Sequence, residues 1–240
     1  MLTGTDVIPF IMELAAVLLD YSLGIALLQR ISRLAQDSAR RYYKGLFGFF
    51  ITHSICRTIF LSRSYFVDVA FIEARRVLFD IGTILGLACV VLIVLAIETT
   101  IFPRSRKFFS IAGTCALGVM VVDAFIRITI PPYRLMIWMH YCTTPVLATF
   151  IILIYLRAFL KATGTIKLNA LLMLAAIVLL SLSELANSTL SVILLGGAAT
   201  ILAPTIMATS LILLYYAVVH LSIWNKTTTG STIASSSSDT

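Results

Sequence analysis

The chain has 240 residues, 60% of them hydrophobic and only 12% charged, with a mean hydropathy of +1.01. Those values exclude an ordinary soluble globular domain and place the chain among polytopic membrane proteins. A formal net charge of +7 would suggest nucleic acid in a soluble protein, but here the basic residues lie mostly between apolar runs, where they set topology, so no nucleic-acid partner is expected.

Met1–Asp6 holds no basic stretch and no cleavage motif follows the first apolar run, which predicts a retained first helix rather than a signal peptide. Seven runs are long enough to cross a hydrocarbon core of about 30 Å, which takes about 20 helical residues. They fall at 7–28, 43–62, 77–97, 108–130, 135–156, 168–187 and 192–219. Each is continuous rather than alternating, and an unpaired strand edge cannot be satisfied in lipid, so the expected fold is an all-α seven-transmembrane-helix bundle. The connections are too short for a second folded domain. The Ser/Thr-rich end, 225–240, is low-complexity and expected to be a disordered tail. Cys56, Cys89, Cys115 and Cys142 lie in four different runs without metal-ligand spacing and read as small core residues.

Orientation follows from Lys and Arg. Arg30, Arg33, Arg40, Arg41 and Lys44, then Arg104, Arg106 and Lys107, then Arg157, Lys161 and Lys167, and finally Lys226, make twelve of the eighteen basic residues, all on one side. The other side has Arg63, Arg75, Arg76 and Arg134, offset by Asp68 and Glu73. The positive-inside rule then puts the N-terminus outside and the C-terminus in the cytoplasm of a plasma-membrane, multi-pass protein. Tyr42, Tyr43, Tyr215, Tyr216 and Trp224 are expected in the inner aromatic belt, and Tyr65, Phe66, Tyr133, Trp138 and Tyr141 near the outer one.

The second run contains His53 and Arg57, four apart and so on one helix face. A guanidinium keeps its proton, and at bilayer depth it costs at least about 2.5–3.5 kcal/mol unless another group meets it. At 1.5 Å per residue, Arg57 falls in the outer half of the membrane, where Glu13, Asp80, Asp123, Arg127, His140, Glu184 and Asn187 also fall. Asp20 and Glu98 lie deeper or at the inner boundary. Asp123 and Arg127 are placed to pair on their own helix, so Arg57 must look across the bundle to Glu13, Asp80 or Glu184. The excess of acids predicts a polar pocket for a ligand, ion or proton. The alternative for each residue is an interhelical polar contact worth about 0.6 kcal/mol. Pro145 in the fifth run and Pro204 in the seventh predict kinks at which a bundle flexes.

Seven helices with the N-terminus outside resemble the architecture of rhodopsins and G-protein-coupled receptors, in topology alone. A retinal Schiff base needs a lysine inside the last helix, and Lys44, Lys107, Lys161, Lys167 and Lys226 all lie in loops or at helix ends, so no cofactor is expected. The third run ends in Glu98-Thr99-Thr100, without an Asp-Arg-Tyr signature. The same topology resembles small 3+1+3 transporters, whose Pro-Gln motif is missing. His53, His140 and His220 fall at three depths, which excludes a three-histidine zinc site, although two histidines with an acid stay open; no nucleophile elbow or nucleotide loop occurs, and no enzyme is expected. These readings converge on a receptor-like or sensory module that signals through a cytoplasmic or membrane protein partner. A proton-coupled or small-solute transporter comes second, and a structural subunit of a membrane complex third. The oligomeric state stays open.

Overall fold

A computed structural model describes residues 7–32, 34, 36–126, 135–186 and 196–220, the last two as backbone only. The predicted Arg127, Asn187 and tail lie outside the described residues. Within them the chain is all-helical, with seven helices long and apolar enough to span a membrane. They are α1 (Val7–Ile31), α2 (Asp37–Tyr65), α3 (Ile72–Thr100), α4 (Phe108–Ile126), α5 (Leu135–Lys161), α6 (Gly164–Ala186) and α7 (Ala199–Tyr215). A 3-10 turn at Gly196–Ala198 leads into α7 and a π turn at Tyr216–His220 follows it.

Several helices outrun the apolar stretches that announced them. The second run, 43–62, becomes the 29 residues of α2, about 43 Å at 1.5 Å per residue. Hydropathy falls off at the headgroups, but a backbone already hydrogen-bonded gains nothing by unwinding there, so the helix continues through Asp37, Arg40 and Arg41 at one end and Arg63 at the other. The basic stretch 157–167 likewise contracts to two residues between α5 and α6, and the reversal depends on Gly164 at φ +60, where a β-carbon would be strained.

Consecutive helices pack side by side, α1 returns to α7, and α3 also reaches α5, so the seven form a closed ring in chain order. The N-terminus of α1 and the C-termini of α2, α4 and α6 share one end of the bundle, here the Val7 face; the other is the Ile31 face. Since apolar residues cover the whole circumference of each helix, the inward stripe is marked by small and polar residues. On α4 it is Ser110, Gly113, Ala116, Met120 and Asp123, while Phe125 and Ile126 point away from the protein. The α2–α3 interface is the largest. It is tightest at Gly45, where an added β-carbon would stand 2.2 Å from that of Ala96.

α6 is joined to α7 and the π turn that follows it by three bonds of one pattern. Asn169 Nδ2 donates to the Ala217 carbonyl at 2.7 Å, Ser210 Oγ to Ala176 at 2.7 Å, and Ser183 Oγ to Ala203 at 2.8 Å. Each step is seven residues on both helices, the stride of shallow, left-handed helix packing, and the small alanine at each acceptor lets the backbones approach.

Two of the expected belt tyrosines turn inward instead. Tyr43 is buried and its hydroxyl donates to the Val218 carbonyl at 3.2 Å, and Tyr42 shares a 2.5 Å hydrogen bond with Tyr155 of α5. Because α2 begins six residues before its apolar run, these positions lie inside the bundle, where a phenol needs a partner.

Candidate functional site

Four ionisable side chains converge between α1, α2 and α6. Arg57 is 7% exposed, and its guanidinium donates a short hydrogen bond to Glu184 Oε1. One turn earlier on α2, His53 Nδ1 sits 2.5 Å from Asp20 Oδ2, and its Nε2 lies 3.9 Å from the same Glu184 oxygen. Phe49, a further turn back, stacks on the imidazole with ring centroids 5.6 Å apart and fixes its plane. The result is an unbroken series from Asp20 through His53 to Glu184 and Arg57. It needs the i, i+4 spacing of α2 to hold an imidazole and a guanidinium on one face, with α1 and α6 supplying the acids.

The series is covered unevenly. Asp20 is 1% exposed and its Oδ1 has no hydrogen-bond partner, whereas the Glu184 side chain is 53% exposed. Glu184 stands two residues from the end of α6, so the cluster is open at the Val7 face and closed at its Asp20 end. Arg57, eight residues from the end of α2, is about 12 Å inside that face, and Asp20 and His53 are about 18–20 Å inside it, near mid-membrane. Beside Arg57 is a cavity of about 10 Å³ lined by Glu13, Ser183, Ala203, Pro204 and Met207. That is room for about one water molecule and no more.

Of the three acids expected for Arg57, the structure therefore brings Glu184 into contact and Glu13 to the same cavity. Asp80 is buried on α3. His140 on α5 packs over Gly86, with its Nδ1 3.4 Å from the Thr144 hydroxyl. α7 stays helical through Pro204, which is buried at the cavity, and α5 through Pro145, which is exposed on the outside of the bundle.

Asp123 is not in the cluster. Its Oδ2 accepts the Met136 N–H at 3.0 Å, so it caps the first turn of α5. Glu98 does the same for α4: its two oxygens accept the N–H groups of Phe109 at 3.1 Å and Ser110 at 2.8 Å, together with the Ser110 hydroxyl. Helix N-termini expose unpaired N–H groups and a partial positive charge, and in each case an acid of the preceding helix meets both. Asp20 is the residue that sequence reasoning left out of the layer, although its seven-residue spacing from Glu13 puts the two on one face of α1.

Chemically, the cluster can hold a proton or a small cation near carboxylates and bias an ion pair. Among the described residues no three His, Cys, Asp or Glu side chains converge as a metal site. The fold defines a multi-pass, seven-helix membrane protein. No protein-family model, curated protein or solved structure matches the chain.

Proposed function

We propose that this protein is a receptor-like, sensory module of the plasma membrane, with its N-terminus outside. In this reading a proton or small ion at the Arg57–Glu184 pair changes how α6 and α7 pack against α1 and α2, and a protein partner at the basic cytoplasmic face reads the change. The observation that carries it is the pairing of a buried, permanently charged Arg57 with a Glu184 that is open at the Val7 face. A stimulus reaching Glu184 acts directly on the hydrogen-bonded partner of a charge that cannot be shed. The size of the adjoining cavity favours a proton or ion over an organic ligand. Pro204 at the same cavity gives α7 a point of bending.

The test is the thermal stability of the purified protein across pH, monovalent cations and small metabolites, beside Arg57→Gln and Glu184→Gln. The expected result is a stabilising pH or cation that both variants lose. A wild type unmoved by every condition, or a shift that survives both substitutions, would overturn the proposal and leave the cluster as an interhelical contact.

Asp20 and His53 favour a second reading, a proton-coupled transporter, because they carry ionisable groups from the open end to mid-membrane. Proton flux in protein-containing liposomes, lost in Asp20→Asn, would select it.

A further inference from the structure

At the Ile31 face, far from the cluster, a groove runs between α3 and α4. Val91 and Leu95 form one wall; Ser110, Ile111, Thr114 and Cys115 form the other; Lys107 stands at its mouth, and its free volume is about 220 Å³. The lining is mostly apolar and the groove opens outward from the bundle, where Leu95, Ile111 and Cys115 are exposed. From Lys107 to Cys115 it extends about 12 Å, from the headgroup boundary into the hydrocarbon. The volume is below the about 300–1,000 Å³ of pockets for drug-sized ligands and suits a length of aliphatic chain.

Lys107 makes the mouth basic, and two arginines lie within three residues of it in sequence. Arg104, Arg106 and Lys107 are consecutive cations of the α3–α4 connection, and all three are exposed. Arg106 and Lys107 both have left-handed backbone, φ 51 and 64, which long side chains rarely adopt. The acid beneath them, Glu98, is buried with both oxygens engaged by the first turn of α4, so it neither neutralises Lys107 through a hydrogen bond nor leaves that helix end free for an anion. Positive charge for a ligand must therefore come from the Lys107 side chain and its arginine neighbours.

We propose that this groove is a specific site for one anionic phospholipid, with an acyl chain along Val91, Leu95 and Ile111 and the phosphate at Lys107. Charge complementarity and the apolar lining select this occupant: a soluble anion would use the mouth alone, and an uncharged lipid the groove alone.

Native mass spectrometry of the full chain, titrated in detergent with dioleoylphosphatidylglycerol or dioleoylphosphatidylcholine, tests the site. The wild type is expected to retain one phosphatidylglycerol in preference to phosphatidylcholine. Lys107→Asn, which keeps a residue tolerant of the left-handed backbone, should lower that preference about fivefold, the factor for one basic residue at an anionic surface. Ile111→Trp, on an exposed position, fills the groove and should abolish retention while elution volume and helicity stay unchanged. Lys161→Gln, at the same end of the bundle but away from the groove, should change nothing. Equal retention of the two lipids, a loss in Lys161→Gln matching that in Lys107→Asn, or retention surviving Ile111→Trp would each overturn the proposal.

Discussion

Removing Glu184 should cost more than removing Glu184 and Arg57 together. Arg57 is 7% exposed and about 12 Å inside the bundle, so Glu184→Leu leaves a guanidinium that can neither deprotonate nor reach bulk water cheaply. Breaking a buried pair by deleting one partner costs about 3–5 kcal/mol. Two features lower that figure here: the Glu184 side chain is 53% exposed, so the intact pair is partly screened, and Glu13 lines the same cavity and can take up part of the charge. The expected loss is about 2–3 kcal/mol for Glu184→Leu, against less than about 1 kcal/mol for Arg57→Leu/Glu184→Leu, in which two apolar side chains fill the space. The assay is reversible unfolding in mixed micelles followed by helicity, run for both single variants and the double variant so that the cycle isolates the coupling. A double variant that loses the sum of the two single losses would show the pair to be uncoupled and would refute the reasoning.

Three further outcomes follow from the packing. Gly45→Ala forces a β-carbon to within 2.2 Å of that of Ala96, which is helix-borne and cannot swing away, so it should cost about 1–3 kcal/mol in an unfolding titration, and Ala96→Gly in the same chain should recover most of it. Glu98→Ala strips the acceptors from two α4 amides and should cost about 1–2 kcal/mol, with faster hydrogen exchange at Phe109 and Ser110 and none of that change in α6. Replacing Asn169, Ser183 and Ser210 by alanine should weaken α6–α7 by about 0.6 kcal/mol each, adding nearly linearly to about 2 kcal/mol in the same titration because the contacts stand about 10 Å apart.

The seven helices were legible because lipid leaves the backbone no alternative, and because every run held at least the about 20 residues that cross the hydrocarbon core. Their ends were not, since hydropathy reports where the hydrocarbon stops and not where the hydrogen-bonded backbone does. That difference had a consequence in the site. With α2 taken to end at Ser62, His53 sits nine residues in and Asp20, thirteen in, lies too deep to meet it. With α2 ending at Tyr65, His53 is twelve residues from that end and Asp20 thirteen from Val7, so antiparallel helices bring them level. Arg57's need for an acid was readable from cost alone, but the choice of Glu184 depends on how α6 is rotated, which a nearly uniform apolar surface does not encode. Asp123 and Glu98 carried a signal that went unread. Phe108 and Leu135 follow Lys107 and Arg134, neither of which can cap a helix, so two first turns lacked acceptors and an acid on the preceding helix was the nearest remedy.

The three bonds between α6 and α7 fall on one line at equal intervals, and that line limits how the pair can move. A slide of one helix along the other would break all three together and find no new partners short of a seven-residue jump. A small roll about the line disturbs none of them. The three bonds therefore lie like the knuckles of a door, kept by a small roll and broken by a lengthwise shift. Its uppermost knuckle, Ser183 to Ala203, lies next in sequence to both Glu184 and Pro204, so the hinge line begins beside the ion pair and the one proline of α7.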